Sequence, residues 1–282
     1  MYTTIILFDI GGTKTRVAVS IDGEQLGTIE SFATPKDPKK GIAQIVAVAE
    51  SISDGHKPTA FIGGIRGVLN EEKTGIEHDV TLTNWVNFNV VEALQALHDV
   101  PVTLENDAAL AGLGEATYGA GQGIDILVYH TISTGVGGVR IHNGVIDASS
   151  AGFEPGHQVL DIDRTILGED IVPTLENLVS GAAVEARLGT KPYEIPQEDV
   201  IWEELAGYLA QGLRNTVLYW SPEAIVLGGS MMTGNPKIPL DAVRKATVAV
   251  LDNIVPCPFI TTAQLGDEAG LYGALALYSS SH

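Results

Sequence analysis

The sequence lacks several features that would mark particular classes of protein. Cys257 is the single cysteine among 282 residues, so no disulfide can form within the chain. No apolar run reaches the length of a membrane span, and the start MYTTIILFDIGG lacks the basic residues and small-residue cleavage site of a secretory signal. Basic residues number 16 against 35 acidic ones, a formal net charge of −19. We therefore expect a cytoplasmic protein with no membrane partner and no nucleic-acid partner.

Glycine is abundant, with 32 residues, and hydrophobic residues make up 45% of the chain. This composition and length predict two units with substantial cores. Hydrophobic patterning predicts strands over residues 3–10, 16–20, 60–65, 101–105, 126–132, 139–142 and 224–227. It predicts helices over residues 41–53, 90–98, 108–117, 175–188, 201–219, 240–250 and 268–278.

Two distant segments share one design. Residues 5–23, IILFDIGGTKTRVAVSIDG, can be laid without gaps on residues 126–144, ILVYHTISTGVGGVRIHNG. Each has a strand, a Gly/Thr turn, a second strand and a final turn that ends in glycine. This predicts a duplicated α/β unit with a ligand site in the cleft between the two copies. A chance similarity between two glycine-rich hairpins is the alternative.

The first glycine turn is the first candidate for chemistry. It contains Asp9, Gly11, Gly12, Thr13 and Lys14. It is not a P-loop, which needs four residues between its first glycine and Gly-Lys-Ser/Thr and then a helix. It is not a dinucleotide fingerprint either, because β-branched residues continue it as a strand. Its N–H groups can hold an anion, but the segment by itself favours an ordinary hairpin turn.

Two further glycine turns follow apolar strands. One contains Thr134, Gly135, Gly137 and Gly138, and the other contains Gly228, Gly229 and Ser230. A second turn of the same kind favours a pair of loops that hold one polyphosphate. The third turn allows a base or ribose to lie against the backbone, but it equally suits the start of a helix.

Seven motifs occur in an order that resembles the ROK family, named for repressors, open reading frames and kinases. They are DIGGTKTRVAV, LENDAALAGLGEA, STGVGG, EPGH, LENLVSG, IVLGGS and LGDEAGLYGALAL. The match runs from Asp9 to about Leu277. It implies the duplicated ribonuclease-H-like α/β fold of actin and hexokinase, with two lobes and a central cleft for ATP and sugar. We expect the smaller lobe over residues 1–106 and 267–282, and the larger over residues 107–266.

The resemblance also implies roles for individual residues. Asp107 becomes the catalytic base for a sugar hydroxyl, although the Asn-Asp pair also suits a helix N-cap. Asp9 becomes a polar anchor near Mg²⁺, or else a turn-initiating aspartate. The implied sugar contacts are Gly67, Asn106, Glu154, His157 and Glu176, with residues 81–84 nearby. Alternatively, His157 is an ordinary surface histidine in a loop, and Glu176 is an ordinary acidic residue in the first turn of a helix.

One departure from the family pattern concerns zinc. Many members carry Cys-x-Cys-Gly-x-x-Gly-Cys between the Glu-x-Gly-His motif and the glutamate matched to Glu176. Here that interval reads DIDRTILGEDIVPT and has no cysteine. Because a structural zinc site needs about four N or S ligands, we expect Mg²⁺ arriving with ATP and no zinc.

The resemblance therefore predicts an ATP-dependent kinase that phosphorylates the 6-hydroxyl of a hexose. Glucose, an N-acetylhexosamine such as N-acetylmannosamine, and fructose are the candidate acceptors, and a homodimer is expected by analogy. The alternative is a non-catalytic sugar-binding or regulatory ROK protein. The regulators carry an additional N-terminal helix-turn-helix domain, which we do not expect here because the first predicted strand begins close to Met1.

Overall fold

The computed structural model describes residues 3–281 and contains two five-stranded mixed sheets. They belong to two units, one made of residues 3–118, 148–152 and 267–281, and the other of residues 119–147 and 153–266. The sequence placed the break at Asn106, but the helix after it stays in the first unit because it packs along the C-terminal helix. The two units are also nearly equal in length. The expected limits at residues 1 and 282 lie outside the described residues.

The sheet of the first unit has the order β3-β2-β1-β4-β7. Its strands are β1 (Ile5–Ile10), β2 (Lys14–Ser20), β3 (Ile29–Ala33), β4 (Ala60–Ile65) and β7 (Val102–Asn106). The first three are antiparallel neighbours, whereas β4 and β7 run parallel to β1. A small second sheet pairs β5 (Val68–Leu69) with β6 (Ile76–His78). The helices are α1 (Pro38–Ile52), α2 (Val90–Gln95), α3 (Asp107–Tyr118) and α9 (Ala269–Ser281).

The sheet of the second unit has the order β10-β9-β8-β11-β12. Its strands are β8 (Ile126–Ile132), β9 (Val136–His142), β10 (Val145–Ile146), β11 (Ala224–Gly228) and β12 (Phe259–Thr262). The helices are α4 (Leu175–Val179), α5 (Gly181–Leu188), α6 (Ile201–Trp220), α7 (Ser230–Thr233) and α8 (Leu240–Leu251). Of the helices within residues 3–281, none combines the length and hydropathy that crossing a bilayer requires.

The two sheets repeat one pattern of strand directions. In each, an antiparallel three-stranded ribbon is followed by two strands parallel to its first strand. The duplication expected from the sequence is therefore present. The gapless overlay places Ser20 on Ile141. In the structure Ile5 pairs with Ser20, but the equivalent Ile126 pairs with His142, so the overlay is one residue out of register in the second strand. The cause is a β8 of seven residues where β1 has six.

Local sequence explains why these elements form. In β1 and β4 nearly every residue is buried, which matches the continuous apolar runs that central parallel strands need. Helix α1 begins at Pro38, and the Asp37 side chain caps it by accepting a hydrogen bond from the Lys39 N–H. The predicted helix over residues 175–188 is two helices, because the backbone of Ser180 is extended. The Ser180 hydroxyl caps α5.

Helices α3 and α9 touch through glycine. A Cβ atom at Gly273 would overlap the backbone carbonyl of Leu110, and one at Gly114 would overlap the carbonyl of Ala269. Only glycine lets two helix backbones approach this closely. The contact fixes α3 against α9, and a buried apolar cluster that includes Leu110, Leu271 and residues of β1 and β4 continues it.

Candidate active site

Three parallel strands of the first unit end together. Ile10 of β1 pairs with Ile65 of β4, which pairs with Asn106 of β7. The residues that follow the three strands therefore lie at one edge of the sheet, and Asp107 is among them. The carboxyl edge of parallel strands is the usual place for ligand sites in α/β proteins.

Asp107 is the first residue of α3 and is partly buried at this edge. Burial raises the pKa of its carboxyl group above the ordinary value. A hydrogen bond from the Ala108 N–H, 2.8 Å from Oδ1, and the charge of Arg66 lower this pKa, while the charge of Asp79 raises it. A carboxylate with a raised pKa at a strand end is suited to accept a proton from a hydroxyl.

Asn106, rather than Asp107, caps α3. Its Oδ1 accepts a hydrogen bond of 3.0 Å from the Ala109 N–H, and its Nδ2 donates one of 3.0 Å to the Gly67 carbonyl. The amide group is thus engaged at both ends in holding the strand end and the neighbouring loop. The sugar contact expected for Asn106 remains a prediction.

Asp9 carries an unusual charge environment. Its Oδ2 lies 3.6 Å from Nη1 of Arg16, its cross-strand partner, and the Arg16 guanidinium also pairs with Asp267. Burial, followed by the charge of Asp107, raises the pKa of Asp9 to about 7, and Arg16 opposes this. Mutually repelling carboxylates at a partly buried edge favour a nearby cation.

The first glycine turn is tied down by a threonine that the sequence analysis did not single out. The Gly11 N–H donates to the Lys14 carbonyl at 3.0 Å. Thr34 donates from its hydroxyl to the Gly11 carbonyl at 2.8 Å and from its N–H to the Thr13 carbonyl at 3.0 Å. The side chains of Thr13 and Lys14 stay exposed, so their donors face solvent.

Gly12 and Gly67 lie where a side chain would not fit. A Cβ atom at Gly12 would come within 2.8 Å of Cγ2 of Thr81. Gly67 has a φ of +111°, and its Cβ would come within 2.8 Å of the His78 carbonyl oxygen. The segment of residues 66–84 thus packs against the first turn within the same unit.

The second glycine turn is joined to Glu176 in the second unit. The Ser133 N–H donates to the Gly135 carbonyl at 2.8 Å and closes the turn. The Val136 N–H donates to Oε2 of Glu176 at 2.8 Å, and the Gly181 N–H donates to the Ser133 carbonyl at 2.7 Å. Thr134 is exposed and Gly137 lies inside β9. The sequence placed Glu176 on the sugar side and did not predict its bond to this turn.

The Glu-Pro-Gly-His motif packs on the start of β9. Its last three residues form a 3₁₀ turn, Pro155–His157, with Nδ1 of His157 3.4 Å from Oε2 of Glu154 and both side chains exposed. A Cβ atom at Gly156 would overlap the Val136 carbonyl, and one at Gly138 would come within 2.8 Å of Cγ of Pro155. The Glu-Pro-Gly-His motif and the second glycine turn therefore pack directly against each other.

Gln158 connects this motif to two helices. Its Nε2 donates to the Pro155 carbonyl at 2.8 Å, and its Oε1 accepts from Nδ2 of Asn215 on α6 at 2.8 Å. Its carbonyl accepts from the Leu175 N–H at the start of α4, which carries Glu176. No sequence signal marks this residue, because a single glutamine after a motif is common.

The third glycine turn meets the second. Gly228 ends β11, and Gly229 has a φ of +83° that few other residues adopt. The hydroxyl oxygens of Ser230 and Ser133 are 3.2 Å apart. The second glycine turn therefore contacts Glu176, the Glu-Pro-Gly-His motif and the third glycine turn.

Comparisons with known proteins identify the family of this chain. A family model described as ROK family matches residues 5–281. The chain belongs to the ROK family. A fructokinase from Lactococcus lactis subsp. cremoris is 30% identical over 255 residues, which cover 89% of this chain and 86% of that protein.

Two solved structures extend the comparison. A ROK hexokinase from Thermus thermophilus superposes with a TM-score of 0.83 at 27% identity, over 99% of this chain and 100% of that one. A ROK family glucokinase from Streptomyces griseus, in complex with glucose and AMPPNP, superposes with a TM-score of 0.80 at 25% identity, over 98% and 99% of the two chains. The expected ROK membership and the duplicated actin/hexokinase-like α/β fold are both confirmed.

In this ROK protein an aspartate organises the interval in which many members have cysteines. Asp161 is buried, and its carboxylate accepts hydrogen bonds from the N–H groups of Thr165, Ile166 and Leu167 at 2.8–3.1 Å. These bonds lower the pKa of Asp161. Among residues 3–281 no cluster of three or more His, Cys, Asp or Glu side chains could hold a metal ion. The absence of zinc remains a prediction.

Proposed function

We propose that this ROK protein is an ATP-dependent sugar kinase that phosphorylates the 6-hydroxyl of a hexose. The observation that carries the proposal is the position of Asp107, a partly buried carboxylate with a raised pKa where three parallel strands end. The names of the relatives, a fructokinase, a hexokinase and a glucokinase, support the same class of reaction.

Asp107 acts as the general base in this proposal. It accepts the proton of the sugar hydroxyl while the hydroxyl oxygen forms its bond to phosphorus and the bond to the leaving ADP oxygen breaks. The Asn106 cap and the packing of α3 on α9 hold the Asp107 carboxylate in place. ATP, with Mg²⁺ on its phosphates, supplies the phosphoryl group.

The glycine turns suit the phosphates. In the first unit the turn held by Thr34 presents the exposed donors of Thr13 and Lys14, and in the second unit Thr134 is exposed on the corresponding turn. The Asp9 carboxyl group would release its proton when Mg²⁺ binds with ATP, and the resulting carboxylate suits Mg²⁺ through water. Zinc has no part in the proposed chemistry.

The sugar side is the Glu-Pro-Gly-His element of the second unit. The exposed Glu154 carboxylate can accept hydrogen bonds from adjacent sugar hydroxyls, and the His157 imidazole can bond a third. Glu176 keeps one carboxylate oxygen for the sugar, since the Val136 N–H occupies the other. Glucose, fructose and N-acetylmannosamine are the acceptors we propose first, and a cytoplasmic homodimer is the proposed form.

A coupled ADP-release assay across glucose, fructose, mannose, N-acetylmannosamine and N-acetylglucosamine tests the proposal. Product NMR should place phosphorus on carbon 6. Asp107→Asn should lower kcat by about two orders of magnitude or more while calorimetry still detects sugar binding. Asp54→Asn, an exposed aspartate with φ +48°, is the control and should keep full activity. A fully active Asp107→Asn protein contradicts the mechanism, and sugar binding without ADP release identifies a non-catalytic ROK protein.

A further inference from the structure

Arg66 lies at the same strand edge as Asp107 and places a positive charge there. It follows the last residue of β4, and its N–H donates to the Ile10 carbonyl at 3.0 Å. A Cβ atom at Gly12 would come within 3.5 Å of Cδ of Arg66. The aliphatic part of this side chain therefore runs beside the first glycine turn.

Arg66 is also next to the proposed base. Ile65 and Asn106 are register partners, so Arg66 and Asp107 are the residues that follow a paired position on adjacent parallel strands. A Cβ atom at Gly64 would come within 3.2 Å of Cα of Asp107, which shows how closely β4 approaches the start of α3. The positive charge of Arg66 lowers the pKa of Asp107, against the effects of burial and of Asp79.

Asp79 holds the guanidinium at one corner only. Nε of Arg66 donates to Oδ2 of Asp79 at 2.9 Å, and the Asp79 side chain is 4% exposed. The other oxygen of Asp79 accepts from the N–H groups of Thr81 and Leu82, so the anchor is itself fixed. The two terminal nitrogens of Arg66 have four more N–H donors, and within residues 3–281 the structure shows no protein acceptor for them.

We propose that Arg66 is a catalytic residue that contacts the transferring phosphoryl group through its terminal guanidinium nitrogens. The proposal rests on the kinase function proposed above. In phosphoryl transfer the charge spreads over the three equatorial oxygens, and a planar guanidinium can bond two of them. Arg66 keeps its proton throughout, since the hydroxyl proton goes to Asp107 and the electron pair of the broken bond leaves with ADP. The anchor at Nε holds the guanidinium in position before the reaction.

The competing explanation is that Arg66 only braces the segment of residues 66–84 through Asp79. Arg66→Ala and Asp79→Asn separate the two explanations. Arg66→Ala should lower kcat roughly 10²–10³-fold, in the range for loss of one preorganised transition-state donor. The sugar KM should stay within about threefold of wild type, because Glu154, His157 and Glu176 of the second unit are unchanged. Asp79→Asn keeps an oxygen for the N–H groups of residues 81 and 82 and should cost about tenfold or less.

Chemical rescue gives the sharpest test. Guanidinium chloride at about 10–50 mM, well below denaturing concentrations, should restore part of the kcat of Arg66→Ala and leave wild type unaffected. Equal losses in Arg66→Ala and Asp79→Asn without rescue overturn the proposal. If Arg66→Ala does not fold, Arg66→Lys keeps the charge but not the planar fork, and should lose about tenfold in kcat. An Arg66→Lys variant with the kcat of the wild-type protein would then overturn the proposed role of Arg66.

The outcomes also separate this inference from the function on which it rests. A wild-type protein that phosphorylates none of the hexoses contradicts the proposed function. An active wild-type protein with an equally active Arg66→Ala variant contradicts only the role of Arg66.

Discussion

His130 should make the protein lose stability in mild acid. It lies in β8 and is completely buried, with Nε2 3.0 Å from Oγ1 of Thr216 and its ring stacked 6.0 Å from that of Trp220. Its Nδ1 has no hydrogen-bond partner within the described residues. Because a protonated imidazole would bury an uncompensated charge here, burial lowers the pKa of His130 from 6.5 to about 4.

The size of the effect follows from the shift. Between the two pKa values the unfolded chain binds a proton that the folded chain does not, so the free energy of unfolding decreases as pH falls. The full contribution is about 3 kcal/mol, and about 2 kcal/mol of it is lost by about pH 5. It is fully present above the ordinary histidine pKa.

Asp9 has the opposite sign and must be separated from His130. With its pKa raised to about 7, the folded chain holds a proton that the unfolded chain releases, so Asp9 contributes stability that disappears as pH rises through that value. The two groups partly cancel over the same pH range. The raw pH profile of the wild-type protein is therefore less informative than its difference from a variant that cannot titrate at position 130.

His130→Gln provides this difference because glutamine stays neutral and can still bond Thr216. Urea unfolding followed by tryptophan fluorescence should be measured at about pH 7.5 and about pH 5 for both proteins. The wild-type protein should lose about 2 kcal/mol more than the variant between these conditions. Equal losses in the two proteins would mean that His130 is protonated in the folded state, and the reasoning from burial would be refuted.

Two further predictions concern α3. Gly273→Ala should destabilise the protein by roughly 1–3 kcal/mol in urea unfolding, because its methyl group would overlap the Leu110 carbonyl. Gly207→Ala in α6, where a Cβ atom has nothing within 4 Å, is the control and should stabilise slightly. Asn106→Ala should cost about 1 kcal/mol through the lost cap and lower kcat more than it raises the sugar KM. If instead only the sugar KM rises, the result would support the direct contact between Asn106 and the sugar that the sequence predicts.

The central strands and the edge strand β7 could be predicted from the sequence, but the edge strands β3, β10 and β12 could not. The apolar runs at residues 60–65 and 126–132 match β4 and β8 to the residue, because a strand buried on both faces needs little but apolar side chains. Strands β3 and β12 were missed. They lie at sheet edges, where exposed residues such as Glu30 and Phe259 interrupt any apolar pattern.

The candidate site shows the same division. Glycine turns and the Asn106–Asp107 pair can be found in the sequence because backbone geometry and capping restrict the residue types at those positions. The bond from the Val136 N–H to Glu176 and the anchoring of Arg66 by Asp79 join residues far apart in the chain or across a loop. Ordinary charged residues make these contacts, so one sequence has no local signal for them.

The glycine contact between α3 and α9 also has a consequence for biosynthesis. The first unit draws α9 from residues 269–281, after the whole of the second unit has been synthesised. On a ribosome, the apolar face formed by residues such as Leu7 and Ile62 emerges early and must wait for Leu271 and Leu275 before it is covered. We therefore expect the second unit to complete its fold first. The helix that carries Asp107 then gains its packing partner last, so in an unfinished chain the strand edge at Asp107 is not stably packed.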